Sequence, residues 1–107
     1  MKKIQVEDIK FDKHKLLPII IQEYSTSQVL MLAWVNENSL RKTIDSGLMT
    51  YWSRSRNCLW VKGETSGNYQ KVKSIYLDCD EDCLLAKVEQ IGPACHTNNK
   101  SCFFQEL

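Results

Sequence analysis

Residues 16–35 read LLPIIIQEYSTSQVLMLAWV, and the fold turns on how this stretch is taken. Leu16 to Glu23 is rich in isoleucine, Tyr24-Ser25-Thr26-Ser27 is a polar step, and Val29 to Val35 is nearly continuous apolar. Two β-branched, apolar runs around a polar break read as paired strands. Pro18 has no N–H to give to a ladder, which places the first of them at a sheet edge. Directly downstream, Asn36 suits a helix N-cap, Val35 and Leu40 are spaced as a hydrophobic staple, Leu40 and Ile44 share a face, and Gly47 is the stop. That helix has at most about three turns.

Beyond it the strand signals resume. Thr50-Tyr51-Trp52-Ser53 and Leu59-Trp60-Val61 favour strands, and Gly63 to Asn68 carries turn chemistry. Ile75, Leu77 and Cys79 alternate with Tyr76, Asp78 and Asp80, and Leu84, Ala86 and Val88 alternate with Leu85, Lys87 and Glu89, each the two-residue period of a half-buried strand. Gly92 to Ser101 is a polar loop. With no repeat, low-complexity tract or linker, residues 1–107 are expected to form one small domain, mainly β (a β-rich α+β fold): a folded mixed or antiparallel sheet or pseudobarrel with one or two short helices.

Composition narrows the function. Fourteen Lys and Arg against thirteen Asp and Glu leave a formal charge of +1, which gives no polyanion-binding surface, so neither bulk nucleic acid nor a membrane surface is an expected partner. The longest apolar run, Val29 to Val35, has seven residues, well short of the roughly 20 that span a bilayer. Glu7 and Asp8 stand where a signal peptide needs its apolar region, so a cytoplasmic protein is expected. Five cysteines, 58, 79, 83, 95 and 102, cannot all pair within one chain. In a reducing compartment their uses are metal ligation or catalysis.

Three stretches can carry chemistry. Asp78-Cys79-Asp80-Glu81-Asp82-Cys83 offers carboxylates at alternate positions, hard donors suited to Mg²⁺ or Ca²⁺. Glu89 stands twelfth from Asp78, as in an EF-hand, but position six is Cys83 instead of Gly and the flanks read as strands. A charged β-turn would account for the same residues. The second stretch, Gly92-Pro93-Ala94-Cys95-His96-Thr97-Asn98-Asn99-Lys100-Ser101-Cys102, puts two thiols and an imidazole together, a zinc-like set without C-x-x-C spacing; buried structural cysteines beside a surface histidine would look the same. The third, Trp52-Ser53-Arg54-Ser55-Arg56 followed by Lys62-Gly63-Glu64-Thr65-Ser66-Gly67-Asn68, puts both guanidiniums on one face if it is a strand and adds a turn rich in hydroxyls and N–H groups. Both suit phosphate, and both also suit a plain solvated surface.

Taken together, YWSRSRNCLWVKGETSGN, LDCDEDC and GPACHTNNKSCFF, preceded by VLMLAWVN, resemble phosphoribosyl-AMP cyclohydrolase, the histidine-biosynthesis family that opens the adenine ring of its substrate, over about Leu16 to Phe104. The resemblance implies Mg²⁺ on Asp78, Asp80 and Asp82. It also implies zinc on Cys79, Cys95 and Cys102, within an intertwined homodimer whose partner subunit supplies Cys79. Cys58 and Cys83 depart from the family pattern, which has a polar or basic residue and a small residue there, but neither is one of the implied ligands. No counterpart of the phosphoribosyl-ATP pyrophosphohydrolase domain, fused to this enzyme in some organisms, follows Leu107, so a monofunctional form is expected.

The chemistry suits that resemblance. Alkylation at N1 makes adenine C6 electrophilic, and three protein ligands on zinc leave a position for water, whose pKa can fall to about 7 in such sites. Zinc deaminases attack adenine C6 comparably, with a nearby side chain moving protons. His96, beside Cys95, is the candidate for that role, because a neutral imidazole accepts a proton near neutrality. The substrate's two phosphates give Arg54, Arg56, Thr65, Ser66 and Lys100 work as phosphate or ribose ligands. The rival reading is a non-catalytic, zinc-stabilised dimeric interaction module, which predicts a closed four-ligand site completed by His96 or Cys83. A redox protein is a weaker third, since C-x-x-C does not occur.

Overall fold

A computed structural model describes residues 3–107. Six strands and one α-helix follow a short 3-10 turn at Val6–Asp8: β1 (Leu17–Glu23), β2 (Val29–Val35), α1 (Glu37–Ser46), β3 (Thr50–Ser53), β4 (Cys58–Val61), β5 (Gln70–Leu77) and β6 (Leu84–Gln90). Four strands form one sheet in the order β2-β1-β6-β5, and β3 pairs with β4 as a separate ribbon. The sheet is mixed, with β1 and β6 parallel and the other pairs antiparallel, and it does not close into a barrel.

The alternations seen in the sequence become the two faces of this sheet. Leu17, Ile19 and Ile21 of β1 and Leu84, Ala86 and Val88 of β6 are all buried in one apolar cluster with Val35, Leu40, Met49 and Tyr51. The opposite face keeps a partly open apolar row. Leu32, Ile20, Leu85 and Tyr76 are successive cross-strand partners across β2, β1, β6 and β5, with Leu32 exposed and the others half-buried.

Asn36 caps α1 by accepting the Ser39 N–H at 2.8 Å, the Ser39 hydroxyl takes the Asn36 N–H at 2.9 Å, and Gly47 ends the helix in the left-handed conformation. Val35 and Leu40 are both in the core, as the staple requires. Ile44 is not: it is 56% exposed, and the buried residue on that face is Thr43, whose hydroxyl bridges the Ser39 and Thr50 carbonyls.

Two further expectations are corrected. β1 is an interior strand, not an edge, and Pro18 is accommodated because the pairing with β6 begins only at Ile19, one residue further on. The strand through Ile75 and Leu77 also stops at Leu77, so Cys79 lies in the β5–β6 turn and not on the strand. The Asp78 N–H bonds the Cys83 carbonyl at 3.0 Å and the Glu81 N–H bonds the Asp78 carbonyl at 3.0 Å, closing a loop in which Glu81 takes a positive φ. Among the described residues no helix is long and apolar enough to cross a membrane.

Candidate functional site

The β5–β6 turn is a carboxylate cluster. Asp78, Asp80 and Asp82 are exposed, and each offers an oxygen within 4.8 Å of the others. Asp78 is held in place by the loop itself, since its Oδ1 accepts the N–H groups of Asp82 at 2.9 Å and Cys83 at 3.2 Å. Those N–H bonds, the Asp82 one foremost, hold the Asp78 carboxyl below the usual carboxylate range. Asp82 moves the other way, pushed up by its hydrogen bond and like charge with Asp78. A divalent cation relieves that repulsion and matches the donor type, so the cluster fits a hard ion.

Cys95 and Cys102 are brought together by the chain's last loop. Its start rests on Gly92, whose positive φ favours glycine and whose Cβ position would press on the Asn68 side chain. Ala94 is buried in the core, and the Ala94 and Cys95 N–H groups bond the Lys100 and Asn99 carbonyls, closing the loop on itself. At its far end the buried Ser101 hydroxyl donates to the Val29 carbonyl at 2.8 Å, and the Cys102 N–H bonds the Leu30 carbonyl at 2.7 Å. Both thiols are thereby fixed against the free edge of β2.

Their protonation is asymmetric. The Thr97 hydroxyl donates to Cys95 Sγ at 3.0 Å and, with the Thr97 N–H, Cys102 and the Lys62 charge, lowers the Cys95 pKa. Burial pushes Cys102 up, as does its neighbour Cys95. Asn99 Nδ2 donates to Thr97 Oγ1 at 2.8 Å and completes the relay. Thr97, Asn99 and Lys62 were not singled out by sequence reasoning. Only the donor types were legible there; the Lys62 charge acts on both thiols from a residue more than thirty positions earlier in the chain.

The other expected site residues are distributed. His96 is exposed, next to Cys95 in a tight turn closed by the Asn98 N–H on the Cys95 carbonyl at 3.0 Å. Among the described residues the aspartates are the only three-ligand group, so neither Cys79, His96 nor Cys83 joins Cys95 and Cys102 in a compact set within one chain. Arg54 and Arg56 lie in the β3–β4 turn, not on a strand as expected, because β3 ends at Ser53 and its hydroxyl takes the Arg56 N–H at 3.2 Å. Arg54 instead stacks on Trp34, with its guanidinium carbon 4.3 Å from the ring centroid. Thr65 and Ser66 are exposed on the loop after β4, at the other end of the ribbon from the arginines, about 13 Å of strand away. Lys100 Nζ is 3.7 Å from Glu23, whose second oxygen accepts the Gln90 N–H at 2.9 Å.

Fold and site define a small β-rich domain that carries a thiol pair on one loop and a carboxylate trio on another. A model of the phosphoribosyl-AMP cyclohydrolase family matches residues 31–104. A phosphoribosyl-AMP cyclohydrolase of Streptococcus mutans is 58% identical over 103 residues, spanning 94% of this chain and 94% of that protein. One of Paracoccus denitrificans is 54% identical over 99 residues, 92% of this chain and 82% of its own length. A histidine biosynthesis bifunctional protein of Caldanaerobacter subterraneus subsp. tengcongensis is 57% identical over 104 residues, 97% of this chain, which spans 51% of that longer protein. The chain belongs to the phosphoribosyl-AMP cyclohydrolase family.

Proposed function

We propose that the protein hydrolyses the N1–C6 bond of the adenine ring in 1-(5-phosphoribosyl)-AMP, giving the ring-opened carboxamide intermediate of histidine biosynthesis, as a zinc- and magnesium-dependent cytoplasmic homodimer. The observation that carries this reading is the thiol pair: Cys95 and Cys102 are adjacent, one of them biased toward thiolate, and among the described residues no third ligand completes their shell. The rival dimeric zinc module needs His96 or Cys83 as a fourth ligand, and among the described residues neither forms a compact group with Cys95 and Cys102. Completion by Cys79 of a second subunit fits its exposed position in the β5–β6 turn. The open apolar row Leu32, Ile20, Leu85 and Tyr76 is a surface that a second copy would cover.

Zinc held by Cys79, Cys95 and Cys102 would supply Lewis acidity, bringing the pKa of water to about 7. The rest belongs to the chain's own side chains. Asp78, Asp80 and Asp82 would hold Mg²⁺, whose charge offsets that of a substrate phosphate. Arg54 and Arg56 offer guanidinium forks to the phosphates, and Thr65, Ser66 and Lys100 offer hydroxyl and ammonium donors. His96 accepts a proton from the attacking water and returns it to N1 as the C6–N1 bond breaks. Five unpaired cysteines suit a reducing cytoplasm.

The test is direct. Purified protein should consume phosphoribosyl-AMP, lose that activity to a zinc chelator and regain it on adding zinc. Absence of turnover with metals replete would overturn the proposal.

A further inference from the structure

All three tryptophans of the chain line one open cavity of about 470 Å³, together with Ser53, Arg54 and Ser55. They come from three strands: Trp34 from β2, Trp52 from β3 and Trp60 from β4. Each is only half-buried, which leaves indole surface open to the cavity, whereas their neighbour Tyr51 is fully buried. Trp60 also packs against the core, and the indole surface that the three rings leave open is available as ligand-binding area.

The arginine in this cavity is arranged for an anion. The Arg54 guanidinium carbon lies over the Trp34 indole, 4.3 Å from the ring centroid, and among the described residues no carboxylate pairs with it. A guanidinium held over an indole without a carboxylate partner keeps N–H donors for a fork onto phosphate. Trp60 sits 5.0 Å from Tyr51, and Lys62 Nζ is 5.7 Å from the Trp60 ring while also lowering the Cys95 pKa.

We propose that this tryptophan-lined cavity is a nucleotide subsite that takes a purine base against the indoles and its 5′-phosphate on the Arg54 guanidinium edge. The inference rests on the cyclohydrolase reading for the identity of the nucleotide. It adds what holds the heterocycle, a task that neither the thiols nor the aspartates can perform. A planar base with a nearby dianion matches indole surfaces beside an unpaired guanidinium, and about 470 Å³ lies within the usual range of small-ligand sites.

The probe is AMP, which has the base and 5′-phosphate but not the N1 substituent that makes C6 electrophilic. Binding to the purified protein is followed by quenching of tryptophan fluorescence and by calorimetry. AMP should bind more tightly than adenosine or ribose 5-phosphate. Trp52→Leu should weaken AMP about 5- to 150-fold, the range for loss of one base-stacking contact, and Trp34→Leu, which removes the ring that carries Arg54, should weaken AMP while sparing adenosine. Arg54→Lys should weaken AMP but not adenosine. Trp52→Phe, which keeps an aromatic face, should retain most of the affinity and so separates lost stacking from misfolding. AMP affinity within twofold of wild type in both leucine variants, with folding confirmed by circular dichroism, overturns the subsite. Tryptophan-dependent AMP binding without turnover of phosphoribosyl-AMP would sustain the subsite and refute the proposed reaction. Turnover with unaltered KM in both leucine variants would do the reverse.

Discussion

The Thr97 hydroxyl donates a hydrogen bond to the Cys95 sulfur at 3.0 Å and is itself held by Asn99. Partners of this kind orient a metal ligand and tune its basicity, and removing them typically costs about 10- to 100-fold in metal affinity. Thr97→Val keeps the shape and removes the donor, so it should weaken zinc binding by that factor while leaving thermal stability near wild type. Competition with a chromogenic chelator measures it; unchanged affinity would show that the bond plays no part in holding metal.

His96 is exposed beside Cys95 and falls outside any compact ligand group with the thiols. His96→Ala is therefore expected to keep stoichiometric zinc and lose about 10²- to 10⁴-fold in kcat, the usual size of a general acid/base contribution. Loss of zinc from that variant would make His96 a ligand instead.

Cys79 stands in the β5–β6 turn, apart from the Cys95 and Cys102 pair. If two-fold related sites each draw Cys79 from the partner subunit, mixing inactive Cys79→Ser and Cys95→Ala proteins should restore activity, up to about half the wild-type level per heterodimer. One site then carries both lesions and the other neither. Subunit exchange verified by mass without any recovered activity would count against a shared site.

Among the aspartates only Asp78 also organises the loop, through the N–H groups of Asp82 and Cys83. Asp78→Ala should therefore lower both Mg²⁺ affinity and the melting temperature. Asp80→Ala should lower Mg²⁺ affinity alone. Calorimetric titration and thermal unfolding distinguish the two; equal melting temperatures would mean that the Asp78 bonds contribute nothing measurable to the fold.

Asp12 sits below its ordinary value of 3.8 because its carboxylate accepts the Leu16 N–H at 2.9 Å and the His14 N–H at 2.8 Å. With the folded pKa depressed, the folded state binds fewer protons than the unfolded one. This contribution is present above pH 3.8 and is lost as pH falls through the lower folded value. Asp12→Asn should be less stable than wild type at neutral pH, with the gap closing in acid. Denaturant unfolding at several pH values checks it, and a gap that widens in acid would reverse the sign.

The amino-acid sequence by itself determined the elements whose signals are local. The α1 cap and stop depend on Asn36, Ser39 and Gly47, all within one short segment, and the burial alternation of β6 depends only on residues two apart. The donor chemistry of the Asp78–Cys83 and Cys95–Cys102 stretches was likewise written in residue types, since carboxylate and thiolate choose their metals wherever they stand. Tertiary structure alone decided the rest, because it depends on residues distant in the chain. Pro18 reads as an edge residue until β6, arriving more than sixty residues later, is seen to start its pairing one step beyond it. Arg54 reads as a strand residue facing phosphate until the β3–β4 turn lays it on Trp34, twenty residues earlier. Long-range pairing places each of those groups, and no local pattern records which strand will arrive beside which.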